Sequence, residues 1–536
     1  MALVQADTVV SDIDYDAMPT LGDIPRHYAR TRPHKVASVF EGRETSWAEL
    51  DRRTNRVARA LIAEGVERGD RIAFVGKGCD EFFEIYFGAA KAGAVTVPII
   101  WRLAAPEILH IASDCEAQVL FVGPDQYDRL PEFAEKLPAA KIVTLEDGAP
   151  DFARFSQWRD AQEDSDPRVE VDPQDVCLQL YTSGTTGLPK GVMLSHFNMV
   201  GNRTIPDGFA HMDWSRWEAD DINLVAMPLG HVGGVGWATV GYFNGAKNIV
   251  QREFIPDQVL DALAAGISKL FVVPTALHML LLNPRVREID YSRLRYILYG
   301  ASPIALELLK QATEVFGCGF CQQYGATETT GTIVFLPPED HDPNGNARMR
   351  GAGKPMPGVE LRIVAKDGTV LPTGEIGEIQ TRSTCNMVGY WKREDATREA
   401  VTDDGWFATG DAGYLDADGY LYIADRFKDM ICSGAENVYP NEVENAIFGH
   451  PAVLEVAVIG VPDEKWGEAV KAVVVLKPGA EATEDDIIAY ARERIGGFKL
   501  PKSVDFIPAL PRNATGKVLR RTLREPYWAG RERQVN

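Results

Sequence analysis

The chain lacks the marks of several protein classes. Its 536 residues include 56 Lys and Arg against 77 Asp and Glu, which gives a formal net charge of −21 and no basic excess. That sign disfavours nucleic acids and anionic membranes as main partners and favours a cytoplasmic enzyme. No apolar run reaches the ~20 residues of a membrane span. The N-terminus, MALVQADTVVSDIDYD, is acidic where a signal peptide would be basic.

Cysteine is scarce as well. The seven cysteines are scattered and odd in number, so no disulfide framework is implied and a reducing compartment is favoured. Cys318 and Cys321 form a lone CxxC without a second pair of metal ligands nearby. We therefore interpret both as small buried residues. With 45% hydrophobic and 25% charged residues, the composition is that of a folded protein, and its length requires a large compound domain plus a further unit.

Residues 181–191, YTSGTTGLPKG, are the most informative stretch of the chain. Glycines let backbone N–H groups approach a ligand, the hydroxyl side chains add donors, and Lys190 adds a positive charge. A flexible surface linker is the alternative interpretation. Apolar, strand-like segments on both sides argue against a linker. The absence of a GK[ST] ending excludes the Walker A pattern, so a phosphate-binding loop of another class is predicted.

Alternating helix and strand patterns before this loop predict a parallel sheet covered on both faces. Ser46 caps a helix, residues 71–75 and 94–100 read as strands, and residues 80–92 read as a helix that Gly93 ends. Residues 123–171 are polar and contain prolines, so they are predicted to be a connection.

Several loops rich in Gly, Thr and Tyr follow apolar strands further along. They are PLGHVGGVGW at 228–237, YGASPI at 299–304 and YGATETTG at 324–331. In a parallel sheet these loops gather at one edge, which is where nucleotides bind. Tyr324 could stack on a base and Glu328 could be an oxygen ligand for Mg²⁺. His231 could belong to the site or to the core.

The composition changes after about Gly353. Short alternating runs separated by Asp-Gly turns predict an antiparallel β subdomain, in which Asp411 has no obvious salt partner and fits either a turn or a ribose contact. Residues 425–447 mark a domain boundary. The last hundred residues predict a small α+β unit with a helix from Thr483 to Ile495 and a polar loop that presents Lys517.

Five motifs in this order resemble the adenylate-forming (ANL) superfamily, most closely its acyl-CoA synthetase and fatty-acid–CoA ligase branch. They are YTSGTTGLPKG, YGATE, GWFATGD, DRFKD and PRNATGK, and the likeness covers about residues 23–525. The resemblance implies an α/β fold: a large N-terminal domain of parallel and mixed sheets covered by helices, with a β subdomain (1–427), and a small mobile α+β C-terminal domain (428–536). Lys428 matches the hinge.

The resemblance also implies the chemistry. A carboxylate attacks the α-phosphorus of ATP and releases pyrophosphate, and the thiol of coenzyme A then displaces AMP. Lys517, Glu328, Lys190, Thr327 and His231 are implied as catalytic residues, with Glu328 and Thr327 holding Mg²⁺. The implied ATP- and coenzyme-A-binding residues are Thr182, Ser183, Gly184, Thr185, Thr186, Gly187, Gly300, Ala301, Ser302, Pro303, Gln323, Tyr324, Gly325, Asp411, Arg426, Lys428 and Gly434.

Three positions depart from the usual pattern of these enzymes. Gly230 stands where an aromatic residue is common, Ala435 where a second glycine is frequent, and Ile100 where Asn is frequent, which bears on pocket shape more than on activity. Residues 232–236 carry no acid that could hold an α-ammonium group, and their glycines leave volume for an apolar tail. A medium- or long-chain fatty acid is the expected substrate. An aryl or arylpropenoic acid, or loading of a separate carrier protein, is the alternative.

Other functional hypotheses predict different reaction products. A P-loop ATPase or kinase releases ADP, and a luciferase-like oxidase emits light without coenzyme A. A silent nucleotide-binding scaffold would normally have lost Lys517 or Glu328, and both are present. We expect a monomer or homodimer whose partners are small molecules. The sequence is also compatible with peripheral contact with a membrane.

Overall fold

A computed structural model describes residues 13–146, 148–183, 189–201, 212–433, 436–513 and 516–529, except the side chain of Ser183. The strands, in chain order, are β1 (Val36–Phe40), β2 (Arg43–Ser46), β3 (Arg71–Val75), β4 (Val95–Ile99), β5 (Val119–Val122), β6 (Lys141–Thr144), β7 (Ala153–Arg154), β8 (Val176–Ser183), β9 (Pro189–Ser195), β10 (Ile222–Val225), β11 (Lys247–Val250), β12 (Lys269–Val272), β13 (Tyr296–Gly300), β14 (Gly319–Ala326), β15 (Gly331–Leu336), β16 (Lys354–Pro355), β17 (Glu360–Val364), β18 (Gly377–Arg382), β19 (Gly389–Tyr390), β20 (Phe407–Leu415), β21 (Leu421–Arg426), β22 (Ile431–Ser433), β23 (Glu436–Val438), β24 (Val453–Asp463), β25 (Gly467–Leu476) and β26 (Ser503–Phe506).

The α-helices cover these sheets. They are α1 (Asp23–Thr31), α2 (Trp47–Ala63), α3 (Asp80–Ala92), α4 (Ala105–Asp114), α5 (Leu130–Lys136), α6 (Phe155–Asp160), α7 (His196–Val200), α8 (Val232–Phe243), α9 (Pro256–Ala264), α10 (Pro274–Leu282), α11 (Leu306–Phe316), α12 (Glu394–Ala400), α13 (Pro440–Phe448), α14 (Glu484–Arg492) and α15 (Arg520–Trp528). None of the helices in the described ranges is long and apolar enough to cross a membrane.

Two large mixed sheets build the N-terminal part. One has nine strands in the order β16-β15-β14-β13-β12-β10-β11-β1-β2, and the other has eight in the order β19-β9-β8-β4-β3-β5-β6-β7. The central strands are parallel, whereas β8 with β9 and β14 with β15 are antiparallel pairs. Helix α3 is buried along almost its whole length, and the left-handed Gly93 ends it as predicted. This arrangement confirms the expected fold class.

Two smaller sheets complete the chain. The strands β17-β18-β20-β21 form the antiparallel sheet that the Asp-Gly turns predicted, and β23-β22-β25-β24 with β26 form the sheet of the C-terminal part. Val458, Val470 and Val474 are fully buried between that sheet and the helices α13 and α14. A separate hydrophobic core in this region supports the prediction of a small α+β unit.

Four local predictions were wrong. Residues 123–171 hold β6, β7, α5 and α6 rather than a simple connection, and the helix after Thr483 ends at Arg492. Residues 232–237 are the first turns of α8 and not a loop. The expectation that all these loops gather at the edge of one parallel sheet was wrong for the phosphate-loop hairpin, which belongs to the eight-stranded sheet. The segments after β10, β13 and β14 do follow parallel strands of the nine-stranded sheet. The interpretation of the CxxC was correct, since Cys321 is buried and Cys318 half-buried.

Candidate active site

A cleft of about 2740 Å³ lies where the two large sheets and the C-terminal part meet. Most of the residues predicted from sequence that the structure describes line this one cleft. They are Thr182, Lys190, His231, Ala301, Ser302, Pro303, Gln323, Tyr324, Gly325, Thr327, Glu328, Asp411, Arg426, Lys428 and Lys517. Gly300 lies just behind the wall, whereas Gly184, Thr185, Thr186, Gly187 and Gly434 fall outside the described residues, as does the side chain of Ser183.

The described part of the phosphate loop is the base of a hairpin. Strands β8 and β9 pair so that Thr182 faces Lys190 across the ladder. A Cβ atom on Gly191 would lie 2.5 Å from Gln179 Nε2, so a larger residue there would require the Gln179 side chain to move. The Tyr181 hydroxyl donates to Asp114 Oδ2 at 2.6 Å, which fixes the hairpin to the end of α4. Both ends of the loop are therefore paired strands of the sheet, which argues against a free linker.

Glu328 lies opposite this hairpin in a single 3₁₀ turn, Thr327–Thr329. The Tyr390 hydroxyl donates to Glu328 Oε1 at 3.0 Å, and Thr182 Oγ1 lies 3.5 Å from the same oxygen. The ring of Tyr390 also lies 5.1 Å from Lys190 Nζ. Sequence reasoning missed Tyr390. Its only sequence signal is the GYW at 389–391, and the two-residue strand β19 brings it to β9.

The loop after β13 forms another wall of the cleft. A Cβ atom on Gly300 would lie 2.1 Å from the carbonyl oxygen of Gln323, so β13 and β14 approach closely only because residue 300 is glycine. Ala301 follows with φ +67°, a left-handed conformation that is rare without glycine. Non-glycine residues in this region cost of order 1–3 kcal/mol and cluster at ligand-binding sites.

Tyr324 and Asp411 are hydrogen-bonded to each other. The Tyr324 hydroxyl donates to Asp411 Oδ2 at 2.8 Å, and Arg426 Nε lies 3.6 Å from Asp411 Oδ1. Burial raises the pKa of Asp411, while Arg426 and Tyr324 oppose that rise. No salt partner for Asp411 was obvious from the sequence around it, and the structure supplies one because the pairing of β20 with β21 places Arg426 opposite Asp411.

His231 caps the N-terminus of α8. Its Nδ1 accepts the backbone N–H of Gly233 at 3.0 Å, so the proton of the neutral ring is on Nε2. The pKa of His231 is lowered to about 4, mainly by burial and to a smaller extent by the charge of Lys517. His231 therefore enters the cleft as a neutral hydrogen-bond donor and is not a core residue.

Lys517 arrives from the C-terminal part of the chain. Its backbone N–H donates to Asn513 Oδ1 at 2.9 Å, which holds the loop that carries it. The pKa of Lys517 is lowered to about 8, mainly by burial and also by the nearby charge of Arg426, while Asp411 and Glu328 act in the opposite direction. Burial also lowers the pKa of Lys428. The ammonium group of Lys517 thus interacts with residues from β20, β21 and the Glu328 turn.

The wall on the far side of His231 is apolar. A Cβ atom on Gly236 would meet only Val232 Cγ2, at 3.5 Å, whereas one on Gly234 would lie 2.0 Å from the Pro228 carbonyl. Gly236 therefore leaves open volume, and Gly234 is required for packing. Three indoles line the cleft beyond them, those of Trp214, Trp217 and Trp237.

Two of the unusual positions touch each other. A Cβ atom on Gly230 would lie 2.8 Å from the backbone nitrogen of Ile100 and 2.7 Å from its Cγ1. No aromatic side chain fits at residue 230 while the backbone of Ile100 is in this position. The structure thus explains the absence of that aromatic residue, and Ala435 lies outside the described residues.

Comparison with known proteins identifies the family of the chain. Residues 25–391 match the family model of AMP-binding enzymes, and residues 442–517 match that of the AMP-binding enzyme C-terminal domain. The chain is 42% identical to fatty acid–[acyl-carrier-protein] ligase ScoC of Streptomyces coeruleorubidus over 98% of this chain and 99% of the relative. It is 38% identical to feruloyl-CoA synthase of an Amycolatopsis species over 95% of this chain and 99% of that relative.

A solved structure extends the likeness to the fold. The crystal structure of ATP-bound MatB from Rhodopseudomonas palustris superposes with a TM-score of 0.84 at 33% identity, covering 94% of this chain and 99% of that one. The chain therefore belongs to the AMP-binding enzyme family, in the acyl-CoA synthetase branch of the adenylate-forming enzymes, and is an ATP-dependent, AMP-forming ligase that joins a carboxylic acid to a coenzyme A or carrier-protein thiol.

Proposed function

We propose that this ligase activates a medium- or long-chain fatty acid and transfers it to coenzyme A. The observation that carries the proposal is the apolar wall along α8. Gly233, Gly236, Val240 and Phe243 line the cleft at helical spacing, so the wall extends over three turns. At a rise of 1.5 Å per residue, these ten steps along the helix correspond to about 15 Å. An extended alkyl chain can bury its surface along this length.

The polar end of the cleft supports the adenylation step. The acid lies with its carboxylate near Lys517 and His231, whose positive charge and neutral N–H offset the repulsion between this anion and the α-phosphate of ATP. Lys190 and the hydroxyls of the hairpin bind the outgoing pyrophosphate. Tyr324 and the loop after Gly300 form the adenine slot, and Asp411 with Arg426 holds the ribose.

Glu328 and Thr327 fit a divalent cation. Both offer oxygen ligands, which Mg²⁺ prefers, and Mg²⁺ needs only one or two protein carboxylates when phosphates supply the rest. In the described part of the chain, both hydrogen bonds to the Glu328 carboxylate end on Oε1. A bound Mg²⁺ would neutralise phosphate charge. Tyr390 and Thr182 then orient the Glu328 carboxylate.

An aryl or arylpropenoic acid is the second candidate substrate. Trp217 and Trp237 have ring centroids 5.7 Å apart, and Trp237 and Phe271 have theirs 6.2 Å apart, so the wall could also hold a flat ring. The relatives include a fatty-acid ligase and a feruloyl-CoA synthase, one from each substrate class. Carrier-protein loading is the corresponding alternative for the second half-reaction.

The test measures pyrophosphate release with ATP over fatty acids of increasing length, aryl acids and amino acids. We expect the highest kcat/KM for a medium or long fatty acid, AMP as nucleotide product, and an acyl thioester only when coenzyme A is added. Higher kcat/KM for aryl acids would establish the second candidate, and ADP as product would contradict the ligase mechanism. Replacing coenzyme A by a holo carrier protein separates the two acceptors.

A further inference from the structure

Arg520 lies where the C-terminal part of the chain meets the rest. It begins α15, three residues after Lys517, and its side chain is 19% exposed. Its Nη2 donates to Glu444 Oε2 at 2.8 Å and to Asn441 Oδ1 at 2.9 Å. Glu444 and Asn441 both belong to α13. These bonds tie α15 to α13 within the C-terminal part.

The same guanidinium also reaches Asp425, on the other side of Lys428 in the sequence. Arg520 Nη1 lies 3.5 Å from Asp425 Oδ1, and the backbone N–H of Asn441 donates to Asp425 Oδ2 at 2.9 Å. Asp425 lies in β21, which pairs with β20 in the antiparallel sheet of the N-terminal part. Donors from two C-terminal helices therefore bind one carboxylate of the N-terminal part.

Burial makes these contacts important for Asp425. Its side chain is 2% exposed, and a buried carboxylate needs charged or hydrogen-bonding partners to stay ionised. The pKa of Asp425 is raised to about 6 because the effect of burial exceeds the opposing effect of the Arg520 charge. An orientation of the C-terminal part that removed both donors would require water or other groups to replace them.

Rotation about Lys428 would divide these residues into two sets. Asp425 precedes Lys428 and would stay with β21. Asn441, Glu444 and Arg520 follow it and would move together. Asp429, 3.7 Å from Arg520 Nη1, also follows Lys428 and would remain close to the hinge. The Asp425 contacts are thus broken by the rotation, whereas the Arg520–Glu444 pair is kept.

We propose that Arg520 and Asp425 form a hinge latch that holds the C-terminal part in the orientation that inserts Lys517 into the cleft. Arg520 is then a positioning residue for adenylate formation, and it acts through Lys517. The latch opens before thioester formation. This inference rests on the proposed function, because it requires two half-reactions that use different orientations of the C-terminal part.

The experiment measures the two half-reactions separately in wild type, Arg520→Gln, Asp425→Asn and the double variant. Pyrophosphate release reports adenylate formation, and thioester formation from supplied acyl-adenylate and coenzyme A reports the second step. We expect adenylate formation to fall about 10- to 100-fold in each single variant, a typical size for coupling between two states. Thioester formation stays unchanged or rises. The double variant should form adenylate no more slowly than either single variant, because each substitution already removes the same Arg520–Asp425 contact.

The neighbouring Arg521 provides a matched control. Its side chain is 75% exposed and pairs with Glu525 of the same helix at 3.3 Å, so Arg521→Gln should change neither half-reaction. Equal losses in both half-reactions, additive losses in the double variant, or unchanged adenylate formation would each overturn the latch. If wild type releases no pyrophosphate with any acid, the proposed function fails instead. Thermal melting checks folding, and if the Arg520 variants do not fold, Asp425→Asn decides the question alone.

Discussion

The pKa of Lys517 leads to a specific pH dependence for adenylate formation. The protonated ammonium is the form that can neutralise charge between the carboxylate and the α-phosphate, so activity should be full below this pKa and fall above it. With a pKa of about 8, roughly nine-tenths of Lys517 is protonated at pH 7 and about one-tenth at pH 9. A lysine with the ordinary pKa of about 10.4 would still be almost fully charged at pH 9.

The assay is pyrophosphate release without coenzyme A, at concentrations of ATP and acid below saturation. The resulting kcat/KM reports the ionisation of the free enzyme, and no thiol is present to titrate in the same range. We expect kcat/KM to fall about tenfold between pH 7 and pH 9. Bound ATP favours the ammonium form, so the corresponding fall in kcat should occur at higher pH.

Two variants assign this titration to Lys517. In Lys517→Arg the guanidinium stays charged, so the fall above pH 8 should disappear even though the rate below pH 8 is lower. Lys517→Ala should lower adenylate formation by at least about 10³-fold, the upper range for one lost hydrogen-bond donor to a developing charge, and spare the thioester step. Burial lowers the pKa of Lys35 and of Lys91 to about 8 as well. The same pH profile in Lys517→Arg would show that one of these or another group titrates, and would refute the reasoning.

Three further predictions concern other walls of the cleft. Tyr390→Phe removes the donor that orients Glu328, so the Mg²⁺ concentration for half-maximal ATP binding should rise about tenfold. Unchanged Mg²⁺ dependence in a calorimetric titration would contradict this role. Gly236→Leu should fill the volume along α8 and lower kcat/KM for long acids far more than for short ones. Equal losses of kcat/KM at all chain lengths would argue against binding of the acyl tail along α8. Tyr324→Phe should weaken ATP binding about 3- to 10-fold, because the buried Asp411 loses a hydrogen bond. An unchanged Kd for ATP would show that the Tyr324–Asp411 hydrogen bond does not contribute to nucleotide binding.

Sequence patterns predicted best where the cause is local. The left-handed Gly93 ends α3, and Thr483 caps α14, because these effects depend on neighbouring residues. The antiparallel sheet after Gly353 followed from its Asp-Gly turns in the same way. The predictions of secondary structure failed where contacts between distant parts of the chain decide the local conformation. Residues 123–171 are polar in composition, yet β6 pairs with β5 and β7 within the eight-stranded sheet. The glycines after His231 favour a loop locally, but α8 packs against the nine-stranded sheet.

The sequence by itself determined the order of the motifs and the family that they indicate, and it predicted candidate residues for phosphate, metal and carboxylate binding and a division into two parts. These are properties of short segments, and they remain recognisable without coordinates. Only the tertiary structure decided which distant groups meet. Tyr390 reaches Glu328 through a two-residue strand, Gly230 excludes an aromatic residue because the backbone of Ile100 approaches it, and Arg520 in α15 meets Asp425 in β21. These contacts join residues that are 62 to 130 positions apart in the sequence. Chain topology brings them together, and no local sequence pattern indicates them.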